Sequence, residues 1–270
     1  MQCLKNAESV QSVSVFDRAF HYGDGCFTTG RIRQGEIELK AFHIERLAYA
    51  CEKLFLNVNL SLIEQSIEIL RKQNECLEGT FKIVISRGEG LRGYSLPSTF
   101  ADLWLYYYPK NIEDFQFEYI QAGVLTQKLG QLMPNLVGIK SLNRLEQVLL
   151  KAEADSNGWA EALVIDTYGR IIEGVSSNCF MQIDRQWVTP ELRFHGVHGI
   201  MRKEILKRMQ QFGISCEIRP IDFKEMKNIQ SLFFCNALSP MKVVSELSSV
   251  KLEPQACIDL FHHLQLNQIR

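Results

Sequence analysis

The sequence has almost no net charge and no long hydrophobic run. Its 270 residues include 30 lysines and arginines against 31 aspartates and glutamates, and 46% of the residues are hydrophobic. A balanced charge argues against strong electrostatic binding to nucleic acid or to an anionic membrane surface. Because no apolar stretch has the length of a membrane span and no basic-then-apolar leader opens the chain, we expect a cytoplasmic protein without a membrane partner.

Paired cysteines are also missing. The eight cysteines are scattered, and no Cys-x-x-Cys pair occurs. We therefore expect reduced thiols rather than a disulfide framework or a zinc site. His195-x-x-His198 has two potential ligands, but no cysteine or carboxylate stands nearby at a matching spacing. Since zinc sites need three or four such ligands, the sequence predicts no metal site.

The chain does contain enough apolar sequence for a sizeable core. Its length suits one large domain or two smaller ones. Apolar residues at helical spacing predict helices, and β-branched and aromatic runs predict strands. The predicted strands are 13–16, 36–40, 81–85, 103–108, 117–127, 216–220 and 232–235, with a hairpin or meander over 161–183, and the predicted helices begin near residues 41, 62, 143 and 200. The pattern predicts a mixed α+β protein with more antiparallel than parallel pairing.

A polar, turn-rich segment divides the chain unequally. Residues 109–114 combine proline, lysine, asparagine and acidic residues between two strand-like runs. We therefore predict a smaller N-terminal domain over 1–109, a linker over 110–116 and a larger C-terminal domain over 117–270.

One lysine stands between an apolar run and an amphipathic helix. Val137 and Ile139 flank the approach to Lys140, and apolar residues at helical spacing begin at Leu145. Burial lowers the pKa of an amine, which favours a nucleophile or base suited to Schiff-base chemistry. The alternative is an ordinary surface charge, which is the commoner situation for a lysine beside a helix.

Two turns have the character of anion-binding sites. Residues 196–202 run glycines directly into a predicted helix, where backbone N–H groups and the helix dipole favour a phosphate. Residues 236–240 follow an apolar strand and consist mostly of small or polar residues, whose backbone N–H groups could contact a ligand. An ordinary glycine-rich turn is the alternative for the first. Residues 88–93 fit Gly-x-Gly-x-x-Gly, but no helix follows them, which excludes a dinucleotide site.

An acidic residue stands at a junction between a strand and a turn. Glu173 follows the extended run 170–172 and precedes Gly174. Either it is a solvated edge residue, or its carboxylate meets a protonated ring nitrogen. The position alone favours the solvated residue.

Taken in order, these segments resemble the fold type IV family of pyridoxal-phosphate enzymes. This family includes the branched-chain and D-amino-acid aminotransferases and aminodeoxychorismate lyase. The segments similar to its motifs are 16–29, 43–47, 138–147, Glu173, 199–202 and 236–238. The first and third of them are most similar to the form found in the lyases.

The resemblance implies pyridoxal 5′-phosphate as the cofactor. Lys140 would hold it covalently and move protons, and Glu173 would keep its ring nitrogen protonated. Arg46 would bind its phosphate. The remaining residues implied in cofactor binding are Ile200, Met201, Asn236 and Ala237.

The resemblance also implies a substrate site. Thr29 would take part in catalysis and bind the substrate together with Arg92 and Asn236. A guanidinium suits a carboxylate, and Arg87 in the same loop competes with Arg92 for that role.

The implied architecture is an α+β homodimer whose protomers have two α/β domains with the cofactor site between them. The implied reaction converts 4-amino-4-deoxychorismate to 4-aminobenzoate and pyruvate in folate biosynthesis. The alternative is a D-amino-acid or branched-chain aminotransferase of the same fold. Aminotransferases of this family usually carry a glutamate-glycine pair where this chain has Thr28-Thr29, which favours the lyase. Since Lys140, Glu173 and Arg46 are all retained, a catalytically idle binding protein is disfavoured.

Overall fold

The computed structural model describes residues 1–270 as a mixed α+β fold built on two sheets. The α+β class predicted from the sequence is therefore confirmed. Contacts between Cα atoms divide the chain into two compact units. The first comprises Met1–Glu113, Ile139–Asn143 and Arg270, and the second comprises Asp114–Gly138 and Arg144–Ile269.

The first unit is built on a six-stranded sheet that is antiparallel throughout, in the order β2-β1-β6-β5-β3-β4. Its strands are β1 (Gln2–Lys5), β2 (Glu8–Ser9), β3 (Gly25–Arg33), β4 (Glu36–Ile37), β5 (Gly79–Ser86) and β6 (Asp102–Pro109). Its helices are α1 (Arg18–Tyr22), α2 (Lys40–Leu54) and α3 (Leu62–Gln73). The helices α2 and α3 pack against this sheet.

Strand alternation separates the two faces of this sheet. In β5, Phe81, Ile83 and Ile85 are buried in the core that the helices cover, whereas Lys82 and Val84 between them are only half-buried. Successive side chains of a strand point to opposite faces. The face that carries Lys82 is therefore opposite to the face that packs in the core.

The second unit is built on a mixed ten-stranded sheet, whose main path runs β12-β11-β10-β14-β15-β7-β8-β9-β13, with β16 paired to β15. Its strands are β7 (Phe117–Leu129), β8 (Glu161–Asp166), β9 (Arg170–Gly174), β10 (Asn178–Ile183), β11 (Gln186–Pro190), β12 (Cys216–Arg219), β13 (Ile221–Asp222), β14 (Ile229–Asn236), β15 (Ser239–Leu247) and β16 (Val250–Lys251). Its helices are α4 (Leu145–Ser156), α5 (Ile200–Gln211) and α6 (Gln255–His263), with 3-10 turns at Pro134–Leu136, Phe223–Asn228 and Leu266–Gln268. Neither unit has a helix long and apolar enough to cross a lipid bilayer.

One strand predicted from the sequence is absent, and the predicted strand 36–40 is reduced to β4 because α2 begins at Lys40. The elements that were not predicted include β1, β3, β11, β15 and α6. Residues 13–16 form no strand, and the side chains of Val13, Val15 and Phe16 are 54–66% exposed. Of the missed strands, β3 carries the predicted site residue Thr29, and its glycines lower its apparent strand propensity. Gly25 lies so close to the Ile85 carbonyl, and Gly30 to the His43 ring, that an added Cβ would overlap each neighbour.

Candidate active site

Lys140 lies beside β3 in the first unit. The Phe27 N–H donates to the Lys140 carbonyl at 2.9 Å, and the Leu142 N–H donates to the Gly25 carbonyl at 3.0 Å. Strand β4 pairs with β3 only at Ile32 and Arg33, so the first half of this edge is open to the lysine segment. The sequence assigned Lys140 to the C-terminal domain, but these backbone bonds group Ile139–Asn143 with the first unit.

The amine of Lys140 lies against an aromatic ring. Its Nζ is 4.7 Å from the centroid of the Phe27 ring, and the Nζ of Lys82 is also 4.7 Å from that centroid. Such distances allow a favourable contact between a cation and a ring. Lys82 is paired with Thr29 across β3 and β5, so Thr29, Phe27 and Lys82 lie on one face of the sheet.

Lys82 was missed by the sequence analysis. Burial lowers the pKa of its amine from the ordinary value for lysine. The sequence signal for Lys82 was its position between the apolar residues Phe81 and Ile83. A polar residue between two buried neighbours of a strand lies on the opposite face of the sheet.

Arg46 is linked to β3 through a buried hydroxyl. Its Nη1 donates to Thr28 Oγ1 at 3.4 Å, and the same oxygen lies 2.6 Å from His43 Nδ1. His43 and Thr28 are buried, and burial together with the positive charge of Arg46 lowers the pKa of His43 to about 3. Helix α2 therefore holds a cation beside a neutral histidine at the centre of the first unit.

The two arginines of the 86–93 segment have different environments. Arg87 is buried and forms an ion pair with Asp24 at 2.8 Å, and its other guanidinium nitrogens donate to the carbonyls of Leu54 and Phe55. Arg92 is exposed. Arg87 is thus committed to the end of α2, which leaves Arg92 as the candidate for a substrate carboxylate.

This difference predicts opposite effects of two matched substitutions. Arg87→Met removes one of the two arginines that pair with Asp24, the other being Arg18, and leaves two carbonyls at the end of α2 without their donor. We therefore expect a loss of about 3 kcal/mol in the free energy of unfolding. Arg92→Met removes an exposed side chain and should change that free energy by less than about 0.5 kcal/mol. Denaturant unfolding of both variants measures this. Equal stabilities would contradict the role assigned to Arg87.

Glu173 lies in the second unit and is buried rather than solvated. Its Oε2 accepts hydrogen bonds from the Val197 N–H at 3.0 Å and from Asn178 Nδ2 at 3.3 Å. Arg144 contributes a positive charge nearby, since its interaction with Glu173 is among the causes that act on the arginine's pKa. The carboxylate of Glu173 is thus held by two hydrogen-bond donors and has a cation nearby.

The turn before α5 contacts Glu173 through Val197 and pairs with Gly138 through its backbone. The Gly138 N–H donates to the Gly196 carbonyl, and the His198 N–H donates back to the Gly138 carbonyl, both at 3.1 Å. Gly199 is the N-cap of α5 and has no side-chain cap. The amides of Ile200 and Met201 in the first helical turn are therefore suited to an anion.

Gly199 cannot accept a side chain without movement of its neighbour. A Cβ at this position would overlap Asn178 Oδ1, and Asn178 also donates to Glu173. We expect Gly199→Ala to cost about 2 kcal/mol of stability through overpacking. Gly130→Ala is the matched control because nothing lies within 4 Å of its added Cβ. Thermal melts of the two variants test this, and a wild-type melting temperature for Gly199→Ala would show that the turn yields freely.

Asn236 ends β14 with both parts of its amide engaged. Its Oδ1 accepts from the N–H groups of Leu238 and Ser239 at 3.0 Å each, and its Nδ2 donates to Ser177 Oγ at 3.3 Å. The side chain thus shapes the 236–239 turn. Ala237 is half-buried within that turn.

The predicted site residues fall into two sets. The first unit holds Lys140, Thr29, Arg46 and Arg92, and the second holds Glu173, Ile200, Met201, Asn236 and Ala237. Within the first, β3 connects the environments of Lys140 and Arg46. Within the second, Asn178 and Val197 connect Glu173 with the turn before α5.

Residues 25–247 match the family model for amino-transferase class IV. The chain belongs to the class IV aminotransferase family. The match includes every predicted site residue. The structure has the fold type IV architecture that the sequence motifs predicted.

Two lyases and one aminotransferase show how the chain compares within the family. The aminodeoxychorismate lyase of Vibrio harveyi is 31% identical over 242 residues, which cover 88% of each chain. The solved 4-amino-4-deoxychorismate lyase of Pseudomonas aeruginosa is 30% identical with a TM-score of 0.84, covering 96% of this chain and 98% of its own. A putative branched-chain-amino-acid aminotransferase of Methanocaldococcus jannaschii is 27% identical over 89% of this chain and 84% of its own.

Proposed function

We propose that the protein is a pyridoxal-phosphate-dependent lyase that converts 4-amino-4-deoxychorismate to 4-aminobenzoate and pyruvate in folate biosynthesis. Similarity to two lyases over nearly the whole of both chains supports the proposal. The observation that carries it is Lys140, whose half-buried amine lies against Phe27 on the strand that also presents Thr29.

The residues present fit pyridoxal phosphate. Glu173 is a buried carboxylate that accepts a hydrogen bond from the Val197 N–H. A carboxylate held in this way is a suitable partner for a protonated ring nitrogen. The uncapped first turn of α5 and the guanidinium of Arg46 are donors suited to a phosphate. When bound, this cofactor supplies an electron-accepting ring that stabilises negative charge on the substrate carbon beside the reacting nitrogen.

Lys140 is the proposed base. Its Nζ takes the ring proton from the substrate carbon that bears the amino group, and a proton delivered to the enolpyruvyl group accompanies cleavage of its bond to the ring. Aromatisation of the remaining ring drives the step.

Thr29 and Arg92 are the proposed substrate contacts in the first unit. The Thr29 hydroxyl supplies a neutral hydrogen bond from the face that carries Phe27, and Arg92 pairs with a carboxylate. Asn236 is proposed to act on both cofactor and substrate through the turn that its amide shapes, with the Ala237 N–H as a further donor.

An aminotransferase of branched-chain or D-amino acids is the second candidate. The 27% identity to the branched-chain relative over a similar length favours it. Strand β3, however, has Thr28-Thr29 where aminotransferases of this family usually carry glutamate and glycine. Thr28 faces α2, where its hydroxyl contacts His43 and Arg46, while Thr29 is on the opposite face.

The deciding experiment supplies 4-amino-4-deoxychorismate to the cofactor-loaded protein and follows both products. Equimolar 4-aminobenzoate and pyruvate support the lyase. If neither appears while D-alanine or a branched-chain amino acid yields its 2-oxo acid, the protein is an aminotransferase and the lyase proposal is wrong.

We also propose a homodimeric cytoplasmic protein that binds small molecules rather than nucleic acid or membrane. Sedimentation velocity measures the first part directly. A monomer at micromolar concentration with full activity would contradict it.

A further inference from the structure

A neutral histidine lies behind the arginine that is proposed to bind the cofactor phosphate. His43 and Arg46 stand on α2 three residues apart, and both reach Thr28 Oγ1 on β3, at 2.6 Å and 3.4 Å. His43 and Thr28 are buried. The three side chains therefore form one chain of contacts from the core to the guanidinium.

The donors and acceptors of these three side chains indicate the direction of the hydrogen bonds between them. A guanidinium can only donate, so the Thr28 oxygen accepts from Arg46 Nη1. The Thr28 hydroxyl has one proton, and its only other partner is His43 Nδ1. Since a buried hydroxyl left without an acceptor is costly, we expect its proton to point at Nδ1 and the neutral ring to carry its own proton on Nε2.

The surroundings hold this ring in place. Gly30 leaves space that an added Cβ would fill, since that atom would lie 2.5 Å from His43 Nε2. The Phe81 ring meets the imidazole edge-on with centroids 5.0 Å apart. The acceptor at Nδ1 is thus presented to Thr28 in a fixed orientation.

We propose that His43 and Thr28 are positioning residues that aim the guanidinium of Arg46 at the cofactor phosphate. This inference rests on the cofactor site of the proposed function and not on which reaction follows. In this proposal the phosphate is contacted by Arg46 and by neither of these two residues. Each acts by holding the donor face of Arg46 in one orientation, because the Thr28 oxygen accepts from one of its nitrogens.

The test compares two ligands that differ only in the phosphate, pyridoxal 5′-phosphate and pyridoxal. Their dissociation constants are measured by fluorescence titration of the full chain freed of its cofactor. Thr28→Val keeps the shape of the side chain and removes the hydroxyl. We expect it to weaken pyridoxal phosphate about tenfold, since one charge-assisted hydrogen bond is lost, and to leave pyridoxal unchanged. Thr28→Ser should restore the wild-type ratio of the two constants.

Two further variants distinguish positioning from a general loss of structure. His43→Leu removes the acceptor and should change the ratio in the same direction. In an Arg46→Met background, Thr28→Val should change the ratio no further, because its effect passes through Arg46. Ser66→Ala is the matched control, since this buried hydroxyl of the same unit has no hydrogen-bond partner.

An equal weakening of both ligands by Thr28→Val, or a full additional effect in the Arg46→Met background, would overturn the proposal. Nitrogen NMR of His43 gives a second readout, with the acceptor expected at Nδ1 and the proton at Nε2. The reverse assignment would also overturn it. Failure of the lyase assay alone leaves these ratios unchanged, whereas a wild-type protein that binds neither ligand contradicts the cofactor assignment itself.

Discussion

Replacing Lys140 by alanine should reduce the formation of 4-aminobenzoate by at least about 10³-fold, because a positioned base contributes up to about 10⁴-fold to proton transfer. The same change removes the only covalent attachment proposed for the cofactor. The fold should persist, because β3 holds this segment through the backbone at Lys140 and Leu142. Product formation is measured under saturating cofactor, and unfolding by circular dichroism.

Lys82→Ala is the matched control for this prediction. Its amine lies at the same 4.7 Å from the Phe27 ring and is also half-buried. The Lys82 variant should keep the absorbance band of the covalently bound cofactor, which Lys140→Ala should lose. If the Lys140 variant keeps both the band and substantial turnover, another amine carries the cofactor and the assignment is wrong.

Some of the regular elements, two helices above all, could be predicted from the sequence. Helix α3 occupies the predicted residues 62–73, and α5 the predicted residues 200–211. Each buries apolar residues at helical spacing, such as Ile63, Ile67 and Leu70 in α3 and Ile205 and Met209 in α5. This spacing is visible in the sequence without tertiary information.

Strand β3 could not be predicted in this way, although it organises the first unit. Gly25 and Gly30 lower the strand propensity of the segment, and their reason lies outside it. Gly25 makes room for the Ile85 carbonyl and Gly30 for His43. Because these neighbours are distant in sequence, only the packed structure explains the glycines.

The candidate site was predicted as a set of residue types but not as a set of contacts. The choice between Arg87 and Arg92 depended on Asp24 and the end of α2, to which no local pattern points. The burial of Glu173 likewise depended on Asn178 and the turn at Val197. Position in the chain favoured a solvated carboxylate, and tertiary packing reversed that expectation.

Glu173→Gln should lower the turnover of the lyase about 10²-fold while leaving the fold intact. The change removes a negative charge from a buried site but keeps an oxygen that can accept from the Val197 N–H, so we expect a loss of about 1 kcal/mol in stability rather than unfolding. The loss of rate follows because the carboxylate no longer favours a protonated ring nitrogen, and removal of one preorganised electrostatic group costs about that factor. Single-turnover measurements with bound cofactor separate this chemical step from binding.

Glu204→Gln is the matched control, because it removes the charge of another buried carboxylate. Glu204 is a buried carboxylate of the same unit, on α5, where it pairs with Arg208. Removing its charge should leave the single-turnover rate close to that of the wild type, even where stability falls. Equal rate losses in the two variants would mean that any buried charge of this unit matters. A loss confined to Glu173→Gln would assign the effect to the group that Asn178 and Val197 hold in place.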